Sequence, residues 1–297
     1  MRFEKYKHLC CAIAVMMLGG LSGSANALVI WENSAGYDMG AFNPVTGSET
    51  TTLTQNKGNG RGIVVVGDTV YYTTADSGNV YKRSASTNAD LGVAFTVPGA
   101  RGLQAISYDG TNFWVGDYSG TTKAYYVSPA GALLNTITLD PTITHIAGYY
   151  DGLEYFNGKL IANRFDGCCG GANEYDISNL NGSLFQAAFI NTTGHGLGTG
   201  IAFDGTDFFV SDIGSNQISV WDGTTGAFIR DIALQGSHTM IEDLSVDFAA
   251  RVDTCGQPGQ PACTNGVGTN IPEPASLALL GIGLAGLAVT RRRKQMA

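Results

Sequence analysis

Between residues 28 and 253 the apolar positions come in short runs broken by Gly, Asp, Asn and Thr, the pattern of β-strands joined by tight turns. Two stretches match closely. Gly200-Ile-Ala-Phe-Asp-Gly-Thr-Asp-Phe-Phe-Val-Ser-Asp212 parallels Gly102-Leu-Gln-Ala-Ile-Ser-Tyr-Asp-Gly-Thr-Asn-Phe-Trp-Val-Gly-Asp117, with an insertion in the latter. Asp204-Gly205-Thr206-Asp207 and Asp109-Gly110-Thr111-Asn112 read as turns between two apolar strands. Weaker copies start at Gly62 and Gly152, so the Gly-aliphatic starts lie 40, 50 and 48 residues apart. A third strand follows each (Asn79 to Lys82, Ala124 to Val127, Ala172 to Tyr175, Gln217 to Trp221), then a turn and a fourth. Four short strands per repeat at this period describe a β-propeller blade.

The ends of the region complete the count. Glu242 to Phe248 reads as a first strand with no set of partners after it. Leu28 to Glu32, Tyr37 to Phe42 and Glu49 to Leu53 read as strands two, three and four with no first strand before them. Joined, they make one blade closed by both termini, which protects the open edges of the ring. The fold class is therefore all-β, a five-bladed propeller. The alternatives are six blades, if Thr136 to Gly194 hides a further set of strands, or a β-sandwich with similar strand spacing.

Charge and cysteines narrow the partners. The chain has 17 basic and 25 acidic residues. Setting aside Arg2, Glu4, Lys5 and Lys7 at one end and Arg291, Arg292, Arg293 and Lys294 at the other leaves 10 bases against 24 acids, a net charge of −14. Such a surface repels phosphate backbones, so nucleic acid is excluded as a partner. Residues 1–27 carry a basic start, an apolar run from Leu9 to Leu21 and the small-x-small site Ala25-Asn26-Ala27, the three parts of a Sec-type export signal. Four cysteines follow it. An even number in an exported protein favours disulfides. Cys255 and Cys263 flank a turn-rich Gly/Pro stretch and suit a bridge, while Cys168 and Cys169 form a vicinal pair or remain a dithiol. The organisation is then a signal over 1–27, a propeller over 28–253, a Gly/Pro/Cys linker over 254–270 and a tail over 271–297.

In the tail, Pro272-Glu273-Pro274 precedes the uncharged run Ser276 to Thr290, which ends at Arg291, Arg292 and Arg293. As a helix the run spans roughly 22 Å, short of the ~30 Å hydrocarbon core but close enough for a transient anchor. The basic cluster stays cytoplasmic and the domain outside, in agreement with the export signal. Gly281-Ile-Gly283-Leu-Ala-Gly286 fits the dinucleotide fingerprint, but it follows no strand and opens no βαβ unit. The order Pro-Glu-Pro, short apolar helix, arginines resembles the PEP-CTERM sorting signal. That resemblance implies a Gram-negative, envelope-bound precursor processed by an exosortase and linked to exopolysaccharide or biofilm. The repeat is similar to the NHL and YVTN-type propellers, with none of their motifs complete.

In a propeller the loop entering strand one and the loop after strand two open on one face, around the central channel. Strand two ends in Glu32, Asp76, Asp117, Asp166 and Asp212, and the approach to strand one carries Arg61, Arg101, Asp151, Thr199 and Glu242. His145, His195 and His238 lie in the same entering loops. Imidazole and carboxylate bind divalent cations and do acid–base work. Asp at one fixed place in successive blades equally suits a cap on its own turn. Two readings follow: a non-catalytic surface protein binding exopolysaccharide or another surface protein, and a metal-assisted lyase or glycosidase at the channel mouth. A divalent cation is the one cofactor the pattern suggests. In a host with an exosortase, the mature chain is expected to begin near Leu28 and to lack residues beyond Pro274. Intact mass of the protein from the native envelope checks this, and a mass retaining Arg291 to Arg293 refutes it.

Overall fold

The Asp-Gly-Thr turns show how the repeat becomes structure. Asp109 Oδ1 accepts the backbone N–H groups of Thr111 and Asn112, each at 2.8 Å. Asp204 Oδ1 does the same for Thr206 (2.7 Å) and Asp207 (2.8 Å). The intervening Gly110 and Gly205 sit at φ 98° and 101°, which a side chain disfavours. Each turn thereby fixes the register of the two strands it joins.

The computed structural model describes residues 28–36, 38–118, 122–139, 150–163, 174–236, 238 and 240–248. They lie in the unit Leu28–Gln260. They hold five four-stranded antiparallel sheets and no helix. The N-terminal strands β1 (Ile30–Ser34), β2 (Asp38–Phe42) and β3 (Glu49–Thr54) form one sheet with the last strand, β20 (Ile241–Val246), in the order β20-β1-β2-β3. The first blade after them is β4 (Gly60–Val66), β5 (Thr69–Thr74), β6 (Ser77–Ser84) and β7 (Asp90–Thr96). The second is β8 (Leu103–Tyr108), β9 (Phe113–Asp117), β10 (Lys123–Val127) and β11 (Leu133–Thr138). The third is β12 (Leu153–Phe156), β13 (Lys159–Asn163), β14 (Glu174–Asn179) and β15 (Leu184–Asn191). The fourth is β16 (Gly198–Phe203), β17 (Asp207–Asp212), β18 (Gln217–Asp222) and β19 (Phe228–Ala233). This is the five-bladed ring with a blade closed by both termini; the six-bladed and sandwich alternatives fall away.

Burial follows position in the blade. Inner strands β16 and β20 are buried throughout, and outer strands β11 and β19 are exposed except at one residue each. The inner strands meet their neighbours in a closed circuit, β20 to β4, β8, β12, β16 and back to β20. Between blades lie apolar clusters, such as Val64, Leu103, Ile106 and Phe113 between the first and second. Burying an aliphatic or aromatic side chain of this kind contributes about 1.5–3 kcal/mol.

The register places one residue per blade at each level of the axis. Ile63 pairs with Tyr72, Ile106 with Val115, Leu153 with Ala162, Ile201 with Val210 and Leu244 with Glu32. The residues immediately before them are Gly62, Ala105, Gly152, Gly200 and Asp243. The two matched stretches therefore align without an insertion: Ala105, not Gly102, corresponds to Gly200. At this level Asp243 carries the one large side chain of the five, and the glycines have no room for any. A Cβ on Gly200 would lie 2.3 Å from Asp243 Cα, and one on Gly62 would lie 2.5 Å from the Gln104 carbonyl oxygen.

Side chains on the second strands stitch adjacent blades. Thr73 Oγ1 accepts Gly62 N–H (2.7 Å) and donates to the Gln104 carbonyl of the next blade. Asn163 Oδ1 accepts Asp151 N–H and Gly152 N–H while Nδ2 donates to the Gly198 carbonyl. Asn33 Nδ2 donates to the Gly62 carbonyl at 3.0 Å. In the second blade Gly116 stands at this position, and the Tyr150 ring of the next blade fills the space. Gly200→Ala is expected to destabilise the domain by about 2–3 kcal/mol through backbone displacement at the axis. Gly36→Ala, with open space around it, should change stability by less than ~0.5 kcal/mol. Denaturant unfolding of both variants checks the contrast.

Candidate functional site

Above the glycine level the inner strands carry a polar one. In the first, second, fourth and closing blades the pairing of the inner strand slips at the same place, between Gly60 and Ile63, Leu103 and Ile106, Gly198 and Ile201, and Ile241 and Asp243. Such bulges re-aim a side chain out of the pleat. They bring Arg61, Gln104, Thr199 and Glu242 to one level, and Asp151, ahead of β12, completes it.

Four of these five interact. Arg61 Nη1 lies 2.6 Å from Glu242 Oε2, Arg61 Nη2 donates to Tyr118 Oη at 3.2 Å, and its guanidinium sits 4.7 Å over the Tyr118 ring. Gln104 Nε2 donates to Asp151 Oδ1 at 3.3 Å. Thr199 turns away and donates to the Ile241 carbonyl at 2.7 Å. Arg61 Nε and Gln104 Oε1 are buried without a hydrogen-bond partner among the described residues. Burial pushes the Glu242 carboxyl up to about 7 against the pull of Arg61, with Asp151 adding to the rise. Burial likewise raises Asp151, opposed by Arg61.

Below this ring Asp243 closes the axis. Its Oδ2 accepts Ile63 N–H at 3.2 Å and its Oδ1 accepts Ile201 N–H at 3.3 Å, so one carboxyl ties the inner strands on either side of β20. Complete burial holds its pKa well above the ordinary carboxylate value despite those bonds. Ser245 Oγ accepts Val65 N–H and Asp247 Oδ1 accepts Gly67 N–H, continuing the stitching down the channel.

The other residues singled out from sequence are placed as follows. Arg101 is exposed ahead of β8, three residues before Gln104, which takes its level in the ring. Asp76 Oδ2 accepts Asn59 N–H, and Asp212 Oδ1 accepts the N–H groups of Leu197 and Gly214, so both cap loops. Asp117 is buried and takes the Tyr125 hydroxyl at 3.3 Å. His195 stacks on Phe228 with ring centroids 3.8 Å apart and faces Asp231 at 3.8 Å. His238 bridges Glu32, fully buried on β1, at 2.9 Å and Glu49 on β3 at 3.2 Å. Gly40 leaves the room for that contact, since a Cβ there would meet Glu32 Oε1 at 3.0 Å. The Glu32 hydrogen bond raises the His238 pKa against desolvation, and burial raises Glu32. His195 and His238 share no partner among the described residues. His145, Asp166, Cys168, Cys169, Cys255, Cys263 and the tail residues lie outside the described residues. Among the described residues no three His, Cys, Asp or Glu side chains are grouped to hold a metal ion, and no helix is long and apolar enough to cross a membrane.

Comparison with known proteins speaks to the tail and to the fold. Residues 270–294 match the PEP-CTERM protein-sorting motif. The protein is exported. The motif associates it with the Gram-negative cell envelope and implies processing by an exosortase. No curated protein matches the chain. Among solved structures, a chain of a nidogen/laminin complex is similar over 75% of this chain and 98% of its own, with TM-score 0.51 and 10% identity. A Bacteroides caccae protein of unknown function is similar over 75% of this chain and 100% of its own, with TM-score 0.50 and 11% identity. At these identities the likeness is one of fold.

The axial carboxyls make stability depend on pH. A carboxyl whose folded pKa exceeds its unfolded value binds more protons when folded, so stability falls as pH rises between the two. For Glu242 that window runs from 4.5 to about 7, and the loss across it is about 3 kcal/mol. Glu32, Asp151 and Asp243 act in the same direction, and so does His238, whose raised pKa makes its contribution vanish at higher pH. Thermal unfolding should therefore give a higher midpoint near pH 5 than near pH 8, and Glu242→Gln should narrow that difference.

Proposed function

We propose that this exported propeller is a non-catalytic surface or matrix protein that binds exopolysaccharide, in support of biofilm, through the face bearing Arg61, Gln104, Asp151 and Glu242. The observation that carries the reading is the convergence of planar hydrogen-bonding groups at one axial level beside Tyr118. Arg61 Nε and Gln104 Oε1 retain unused hydrogen-bonding capacity there. Guanidinium, amide and carboxylate beside an aromatic ring suit a polyhydroxylated ligand, which offers paired donors and acceptors and C–H faces. The proposal includes export through a cleaved signal over 1–27, a transient tail anchor over 271–297 released by the exosortase, and a Cys255–Cys263 bridge in the linker 254–270. It places the mature domain on the outer surface or beyond it, where a second surface protein is the competing partner.

One observation favours a second reading. Glu242, with a pKa of about 7 beside Asp151, has the protonation behaviour of a general acid at neutral pH. A glycosidase at the channel mouth would use that pair, and a metal-assisted lyase would draw its cation from the histidine loops.

One experiment separates the readings. The mature protein is mixed with exopolysaccharide purified from its own host, sedimented, and the supernatant assayed for shortened chains. Co-sedimentation without shortening is expected, with about tenfold weaker retention in Gln104→Leu, the scale of one lost hydrogen bond of about 1.4 kcal/mol. Failure of the wild type to co-sediment overturns the binding reading. Shortening lost in Glu242→Gln establishes the enzyme.

A further inference from the structure

Features that the ring requires recur from blade to blade, and a feature confined to one blade needs another explanation. The Asp-Gly-Thr turns of the second and fourth blades share their Asx hydrogen bonds, yet what surrounds them differs. In the second blade the Tyr126 hydroxyl donates to Asp109 Oδ2 at 2.6 Å and accepts from Asn112 Nδ2 at 2.9 Å. The Tyr126 ring stacks on Trp114, with centroids 4.5 Å apart and planes 26° from parallel. Trp114 is buried, whereas Tyr126, Asp109 and Asn112 are half-buried. At the register position of Tyr126 the other blades carry Ala41, Lys82, Ile177 and Val220, and at that of Asn112 the fourth blade carries Asp207. Neither the fold nor the turn needs the tyrosine.

The surroundings extend the surface. Tyr155, half-buried in the third blade, packs with Tyr126 against the same apolar cluster as Trp114. Asp109 raises the pKa of both tyrosines, after their own burial, and so lies near each. The Asp109–Asn112 turn joins the ends of β8 and β9 opposite those that carry Gln104 and Asp117, so the patch lies on the face of the ring away from the Arg61–Glu242 level.

We infer that Tyr126, Asp109, Asn112 and Tyr155 form a binding site for a neutral glycan. A pyranose lays its C–H face on the Tyr126 ring, which Trp114 holds flat from behind. Asn112 spends one Nδ2 hydrogen on Tyr126 and keeps a second hydrogen and Oδ1 for sugar hydroxyls. Asp109 has Oδ1 occupied by two backbone N–H groups and one lone pair of Oδ2 left to accept a hydroxyl. The same carboxylate, on a strongly acidic domain, repels uronic acids, so the glycan is uncharged. This deepens the proposed function: it rests on the polysaccharide reading and assigns it a second face and a ligand chemistry.

The test uses the mature protein and four soluble hexasaccharides: β-1,4-glucan, β-1,3-glucan, α-mannan and oligogalacturonate, each titrated by calorimetry. Binding of at least one neutral hexamer is expected, with oligogalacturonate at least about tenfold weaker. Tyr126→Val and Asn112→Asp install the residues of the fourth blade and should stay folded, Tyr126→Val with a lowered but still cooperative unfolding transition because it loses the stack on Trp114. Tyr126→Val is expected to weaken the neutral hexamer about tenfold or more, and Asn112→Asp severalfold. Val45→Ser, on an exposed turn elsewhere, should leave it unchanged. The inference is overturned if no neutral hexamer binds, if oligogalacturonate binds equally well, or if a folded Tyr126→Val variant binds like wild type. Co-sedimentation with host exopolysaccharide that depends on Gln104 and survives Tyr126→Val would sink this site and leave the proposed function standing.

Discussion

The whole ring depends on how closely five inner strands can approach one axis. Gly62, Gly152 and Gly200, level with Asp243, have no room even for a methyl, and a Cβ on Gly152 would meet the Thr199 carbonyl oxygen at 2.3 Å. Small residues permit the approach, and polar groups make it favourable. Inner-strand N–H groups that face the channel have no further strand to bond. Asp243, Ser245 and Asp247 accept them from one side, Thr73, Asn163 and Ser211 from another. Buried amides left unmade would cost about 1–3 kcal/mol each, so this stitching accompanies the glycines of necessity.

The polar ring follows from the same constraint. Above the glycine level, bulges in four blades re-aim Arg61, Gln104, Thr199 and Glu242, and Asp151 joins them from ahead of β12. Thr199 turns to the Ile241 carbonyl, and charge decides what the other four do. Arg61 neutralises one carboxyl, and Glu242 and Asp151 hold their protons more tightly than exposed acids. The site is a by-product of closing the ring, with chemistry set by which residue each bulge presents.

Much of the fold was legible in the sequence because its signals are local. Strand alternation, the Asp-Gly-Thr turns and the two unmatched ends were enough to count five blades and to join Glu242 to Phe248 with the N-terminal strands. The site was legible in part. Arg61, Asp151, Thr199 and Glu242 were found by their distance from the repeat, but Gln104 was missed and Arg101 stood in its place. The reason is that Ala105 does at the axis what glycine does elsewhere, so alignment on Gly102 shifted the register. A search for any small residue four positions ahead of Asp-Gly finds it, since Gly200 precedes Asp204 by four and Ala105 precedes Asp109 by four. The contact of His238 with Glu32 joins residues 206 apart and leaves no local mark.

The closing blade also sets an order of events. Its strands β1, β2 and β3 precede the four other blades along the chain, and β20, which they need, follows those blades. Bringing Ile30 to Val246 closes a loop of roughly two hundred residues, at an entropic cost of about 5 kcal/mol. Until then one sheet lacks its innermost strand and the circuit of inner strands is broken between β16 and β4. Without that one contact between the two ends of the domain the chain is an open arc, and the ring exists only once β20 lies beside β1.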